Sequence, residues 1–277
     1  MMKKNLLLLG FLLMGLHSFE QITEAVKSAD TVKKPQGPPF IYRRDFKTIR
    51  DQSEDRMSEL SYNKLIIKFL NNDSTLTNAQ VLALMIGFTE NPHFKPVDIM
   101  ATELDIYDLS KASDFKAVVE KARPFLQTVP LSMLVLRETA IAYNRLGEKD
   151  SSRYFAALHD RIMDAMIYSG KGKKPDEAIF SLGLADGEYF VANIGYYLDK
   201  KDTQWDKYGN FMEVIDTYND QDVKSTLYFV IQHAKDKLDD DQPDAMDAKR
   251  DKKAKKKEKE NKKKKEKTES VAPPQEN

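Results

Sequence analysis

Apolar side chains along the chain recur first at helical and then at alternating spacing. Phe40, Ile41, Tyr42, Phe46 and Ile49 open the ordered part over residues 40–50. Over residues 61–70, Tyr62, Leu65, Ile66, Phe69 and Leu70 share one helical face. Asn71-Asn72-Asp73-Ser74 stops that run, and Thr77 stands where a capping residue opens the next helix, residues 78–87. Pro92 and Pro96 mark a loop before a helix predicted over 97–109. Ser113 is the expected cap of a helix over 114–127 with Phe115, Val118, Val119, Ala122 and Phe125 facing inward. Val129-Pro130 separates it from a helix over 131–146, and another is predicted over 149–168.

Two helices parted by a proline, the second ending Ala140-x-Ala142-Tyr143-x-x-Leu146-Gly147, have the look of a tetratricopeptide-like hairpin. A single unit is legible, so the expectation is a helical layer and not a solenoid. After Ser169-Gly170-Lys171-Gly172 the period shortens to two. Phe180, Leu182 and Leu184 alternate, Asp186-Gly187 has the chemistry of a two-residue hairpin turn, and Phe190, Ala192, Ile194, Tyr196 and Leu198 alternate again. Two further strands are predicted over 211–218 and 224–231. The fold class is therefore α+β: helices over 40–168, packed on a small antiparallel sheet in a mainly stranded part, 169–238.

The Ser169-Gly170-x-Gly172 turn, the Ala178–Phe180 segment, Asp186-Gly187-Glu188-Tyr189 and a late Tyr228-Phe229 follow one another in an order that resembles domain-of-unknown-function family 4919. Its members are exported proteins of Bacteroides-type bacteria. The likeness runs over about residues 40–231 and departs from the family where the turn continues into Lys173-Lys174 instead of acidic residues. The resemblance implies an envelope location and this architecture, and carries no activity with it. In the same bacteria Asp-Ser/Thr-apolar triplets are O-glycosylated, which makes Thr31 and Ser74 candidate acceptors.

The ends of the chain change the picture of where it works. Lys3 and Lys4 followed by an apolar run over 6–16 read as a signal peptide, residues 1–18, too short for the ~20 residues of a spanning helix. Cleavage is expected after Ser18, with Ala25 the second choice. Residues 19–39 form a linker, with Pro35, Gly37, Pro38 and Pro39 blocking regular structure. One α+β domain is expected over 40–238. The chain has no cysteine, which excludes lipoprotein anchoring through a lipidated cysteine, disulfides, thiol catalysis and cysteine-ligated zinc. The expectation is a protein of the periplasm or cell envelope, soluble after signal removal.

Charge is balanced overall, with 44 basic and 44 acidic residues, but not locally. Residues 249–267 hold thirteen Lys or Arg against four Asp or Glu, an excess of nine that the rest of the chain offsets. Residues 239–277 read as a disordered tail, with 252–267 able to form a transient single helix. Its partners would be anionic lipid or polysaccharide at about 1 kcal/mol per well-placed lysine, or it is a spacer. Export argues against nucleic acid.

Candidate chemistry is sparse. His93, His159 and His233 lie in separate elements without metal-ligand spacing, and the Gly170–Lys174 run lacks the spacing of a phosphate-binding loop, so no metal or cofactor is expected. Asp186 and Glu188 stand two apart, beside Tyr189, and Tyr196, Tyr197, Trp205 and Tyr208 follow. Asp186, Glu188, Tyr189 and Trp205 are the candidate ligand-binding residues. The reading that follows is a non-enzymatic module that binds an unidentified protein through its helical layer. A carbohydrate or small-ligand site on the sheet face is the alternative, and a hydrolase using spatially assembled carboxylates is the third.

Overall fold

The computed structural model describes residues 39–241. The signal peptide, the linker with Thr31 up to residue 38, and the Lys-rich tail beyond residue 241 lie outside the described residues; residues 239–241, expected in the disordered tail, are the end of the last helix. The chain divides into two units, Met1–Ala234 and Lys235–Asn277. The architecture below belongs to the first; the described part of the second is the end of the last helix, where Lys235 pairs with Asp239 one turn on.

Seven helices come first: α1 (Tyr42–Glu54), α2 (Tyr62–Leu70), α3 (Asn78–Phe88), α4 (Pro96–Lys111), α5 (Phe115–Thr128), α6 (Met133–Arg145) and α7 (Lys149–Ser169). Then come β1 (Ile179–Phe180), α8 (Asp186–Asn193), β2 (Tyr197–Trp205), β3 (Phe211–Tyr218), β4 (Lys224–Val230) and α9 (Gln232–Asp241). The class is α+β, as the periodicity implies.

The centre of the helical part is α3. Its residues from Val81 to Phe88 are all buried, and α1, α2 and α7 pack around it. A helix apolar on every side has no stable place except an interior. Its start is a capping box: Thr77 Oγ1 accepts the Gln80 N–H at 3.3 Å while Gln80 Oε1 accepts the Thr77 N–H at 3.0 Å. The helix after Ser113 is capped one residue later than expected. Ser113 takes a left-handed backbone (φ 60°), and Asp114 accepts the Ala117 N–H at 3.1 Å, an anion at the positive helix end. Consecutive helices α5, α6 and α7 pack as hairpins, and a small apolar cluster of Ile106, Val118, Ala122, Val135 and Ala142 joins α4, α5 and α6.

The sheet has the order β1-β4-β3-β2. β3 and β4 pair antiparallel as expected, and β2, which lies beyond the expected second strand but for Tyr197 and Leu198, pairs antiparallel with β3; β1 pairs with β4 in parallel, Ile179 opposite Phe229 and Phe180 opposite Val230, so the sheet is mixed. The segment expected to be the second strand is a helix, α8, and residues 169–238 are accordingly not mainly strands. Asp186-Gly187 does not turn a hairpin. The Asp186 carboxylate reaches back to the Gly183 N–H at 2.7 Å, and the buried residues Asp186, Gly187, Phe190 and Val191 follow helical spacing. The alternation of Phe190, Ala192 and Ile194 is coincidental to this, since Ala192 faces solvent.

Ser169, Gly170 and Gly172 carry the chain from α7 into the sheet. Ser169 Oγ donates to the Met166 carbonyl at 2.7 Å and accepts the Phe180 N–H at 2.8 Å, fastening β1 to the end of α7. A side chain at Gly170 would meet the Ala178 carbonyl oxygen at 2.4 Å, and Gly172 takes φ 67°. The Gly172 carbonyl then accepts the Tyr228 N–H at 2.9 Å on the outer side of β4. That side of β4 is thereby occupied by β1 and the Gly172 turn. The other edge, β2, is open among the described residues, and all nine of its residues are exposed.

Candidate functional site

The first turn of α8 brings three of the predicted residues together. Asp186 is buried (4 % exposed), Tyr189 is half-buried, and Glu188 reaches the surface. Three further elements supply partners that the sequence pattern does not single out. Glu103 comes from α4, Lys201 from β2 and Glu213 from β3.

Lys201 clasps two carboxylates. Its Nζ lies 2.5 Å from Glu188 Oε1 and 2.5 Å from Glu213 Oε1, and donates to the Leu184 carbonyl at 3.2 Å. Glu213 is 1 % exposed, and its second oxygen, Oε2, is buried without a hydrogen-bond partner. That oxygen lies under α8: a side chain at Gly187 would meet it at 2.3 Å. Close approach of these side chains, not a turn, therefore favours glycine at 187. The Tyr189 hydroxyl is likewise buried and unpartnered. On the α4 side, Glu103 (2 % exposed) accepts from Ser132 Oγ at 2.6 Å, the residue that also caps α6.

Burying carboxylates makes their charged forms costly. Burial pushes the Glu103 carboxyl up to about 8, and the nearby Asp186 charge adds to the rise. Burial pushes Asp186 up to about 6, opposed by the N–H groups of Gly183 and Leu182. Glu213 rises to about 7 for the same reason, against the pull of the Lys201 ammonium. Tyr189 is raised by burial and then by the surrounding carboxylates. Burial lowers Lys201, but the hydrogen bonds and charges of Glu188 and Glu213 outweigh that and leave it raised.

A family model described as Domain of unknown function (DUF4919) matches residues 47–240. The chain belongs to this family. No curated protein and no solved structure matches it. The matched span runs from α1 into α9 and includes every residue of the cluster.

The remaining candidates lie apart from the cluster. Trp205 ends β2, 56 % exposed, with its ring 5.0 Å from that of Phe211. Tyr197 stacks on Tyr218 directly across the strand pair at 5.3 Å, and Tyr208 lies under the Arg43 guanidinium at 4.0 Å. Ser74 is exposed in the loop between α2 and α3. A shallow depression of about 330 Å³ lies elsewhere again, against Asp105, Asp108, Leu109 and Lys121.

The histidines also stay separate. His93 is exposed, and His159 Nδ1 lies 3.0 Å from Asp160. His233 is buried in a stack with Phe46, Phe94 and Phe180, its Nε2–H donating to the Leu182 carbonyl at 3.1 Å. Burial lowers it to about 4, so it is neutral near pH 7. Leu182 and Gly183 are thus held by His233 from one side and by Asp186 from the other.

The residues missed from sequence leave a signal in hindsight. Ile99, Glu103 and Ile106 share the buried face of α4, and Glu213, Ile215 and Thr217 share the buried face of β3. A carboxylate standing where the period demands an apolar residue marks each of them.

Proposed function

We propose that the chain is an exported, non-enzymatic module that binds another protein by taking an extended segment of it onto the free edge of β2. The observation that carries this reading is the nine-residue edge strand, exposed throughout, whereas the strand at the opposite edge, β1, has only two residues. An open strand edge presents a row of backbone donors and acceptors, and partner strands add to such edges through main-chain bonds. The Thr203 N–H donates to the adjacent Asp202 carboxylate at 2.8 Å, a local substitute for a strand partner. Tyr197 and Trp205 stand at the two ends as exposed aromatic contacts.

The helical surface offers less. Its exposed apolar residues, such as Ile67 on α2, Leu104 on α4 and Ile167 on α7, are spread over separate helices, an ordinary feature of protein surfaces. Access argues against a hydrolase: Glu103, Asp186 and Glu213 are closed to a substrate in this conformation. Export is supported by the basic-then-apolar segment over residues 3–16, and among the described residues no helix is long and apolar enough to cross a membrane.

The test places a photo-crosslinking residue at Gln204 in the source cells, then maps amide exchange of the full chain with the purified captured protein. The expected result is protection of β2 amides by that protein and loss of both capture and protection in Thr203→Pro. A captured protein that leaves β2 amides unprotected overturns the reading, as does equal capture by Thr203→Pro.

A further inference from the structure

The cluster under α8 holds more carboxylates than positive charges. Glu188 and Glu213 share one ammonium, Lys201; Glu103 and Asp186 make no ion pair among the described residues, and Glu103, Asp186 and Glu213 are at most 4 % exposed. Each element packed there contributes. Glu103 and Tyr107 come from α4, and Ser132 caps α6, whose own buried Glu138 is occupied by Ser110 and Arg137. Lys201 comes from β2, Glu213 from β3, and Asp186, Glu188 and Tyr189 from α8 itself. Four ionised carboxylates cannot share one ammonium at this burial without a further positive charge. Among the described residues no three His, Asp or Glu side chains are placed to hold a metal ion, and a proton neutralises a buried carboxyl where no cation is at hand.

We propose that this cluster is a proton-held clasp: protons on its buried carboxyls keep α8 and the Leu182–Gly183 loop closed on the body, and their loss as pH rises opens that segment. Geometry gives the clasp its moving part. The Glu213 oxygen without a partner lies directly beneath Gly187, and Asp186 is at once the first residue of α8 and the anchor of the Gly183 N–H. Ionising this group of side chains places like charges against the first turn of α8. The loop is then left with its His233 bond and the local Ser181 Oγ bond to the Gly183 carbonyl, and His233 is neutral throughout this range. Because the closed state binds more protons than the open one, raising the pH drives opening. Each proton released multiplies the opening equilibrium about tenfold per pH unit.

Native-state amide exchange of the full chain at pH 6 and pH 9, corrected for the intrinsic rate, reads this out. The expected result is that protection over residues 181–196 falls at least tenfold more than over α3, and that Glu103→Gln, which keeps the bond to Ser132, reduces the fall. Equal changes in the two regions overturn the proposal, as does an unaltered fall in Glu103→Gln. Should that variant not fold, carboxyl NMR titration of the unaltered chain decides. Glu103, Asp186 and Glu213 must lose their protons above pH 5.5, and titration of all three in the usual carboxylate range overturns the clasp.

Discussion

The surroundings of α3 and those of α8 are both interior to one unit, yet they are held by different physics. Around α3 the contacts are mostly apolar, the buried Ser53 hydroxyl against Gly87 being an exception, and the helix start is completed by its own capping box. Around α8 the buried groups include three carboxylates, and two polar atoms, Glu213 Oε2 and the Tyr189 hydroxyl, lack partners. An apolar interior is insensitive to pH and intolerant of lost volume. A buried acidic one depends on its protons and is the first to open. The difference assigns stability to the helices and conditional behaviour to the segment that bridges helices and sheet.

The comparison breaks most sharply in the apolar half. Phe88, fully buried, loses its contacts in Phe88→Ala. The expected cost is about 3–5 kcal/mol, read by chemical denaturation and nearly equal at pH 6 and pH 8. A small cost, or one that varies strongly with pH, would erase the distinction between the regions.

His233 sharpens the acidic limb. Its folded value of about 4 lies below the ordinary 6.5, so the unfolded chain binds the extra proton. The stability it preserves is complete above pH 6.5 and disappears as pH falls toward 4, at most about 3 kcal/mol. Urea denaturation between pH 4 and 7 should show that loss, and His233→Phe should flatten it. For the carboxylates the sign reverses: folded values above the unfolded ones mean stability lost as pH rises.

Gly187→Ala probes the contact between α8 and Glu213. An added methyl meets Glu213 Oε2 inside van der Waals distance, with an expected cost of about 1–3 kcal/mol in thermal or urea unfolding. Tolerance of alanine would show that the two elements are loosely apposed. The smallest effect belongs to Glu188, the exposed member of the Lys201 pair. Glu188→Gln should cost about 0–1 kcal/mol and lose most of that in high salt, whereas removing the buried Glu213 partner should cost more. A double-mutant cycle on Lys201 measures both couplings, and equal values would place both carboxylates in the same environment.

Much of this molecule is written in short-range pattern. Apolar spacing marks α2, α5 and α7 because each buries one stripe, and Thr77 followed by Gln80 determines where the all-round buried α3 starts by local hydrogen bonding. Ser169-Gly170-x-Gly172 is legible as a turn for the same local reason. The Asp186-Gly187 pair shows where locality ends. The same two residues suit a hairpin or a helix start, and the choice depends on the Gly183 N–H and on Glu213, which no window of the chain places beside them. The parallel pairing of β1 is of the same kind, since its partner β4 follows some fifty residues later. The carboxylate cluster joins α4, α8 and β3, and burial, which only the packed structure decides, turns ordinary acidic residues into proton-holding ones. The sequence alone determined the helices before residue 170 and the α+β class; the tertiary structure decided that residues 186–193 are helical and which charges lie inside, because desolvation is a property of the surroundings and not of the residue.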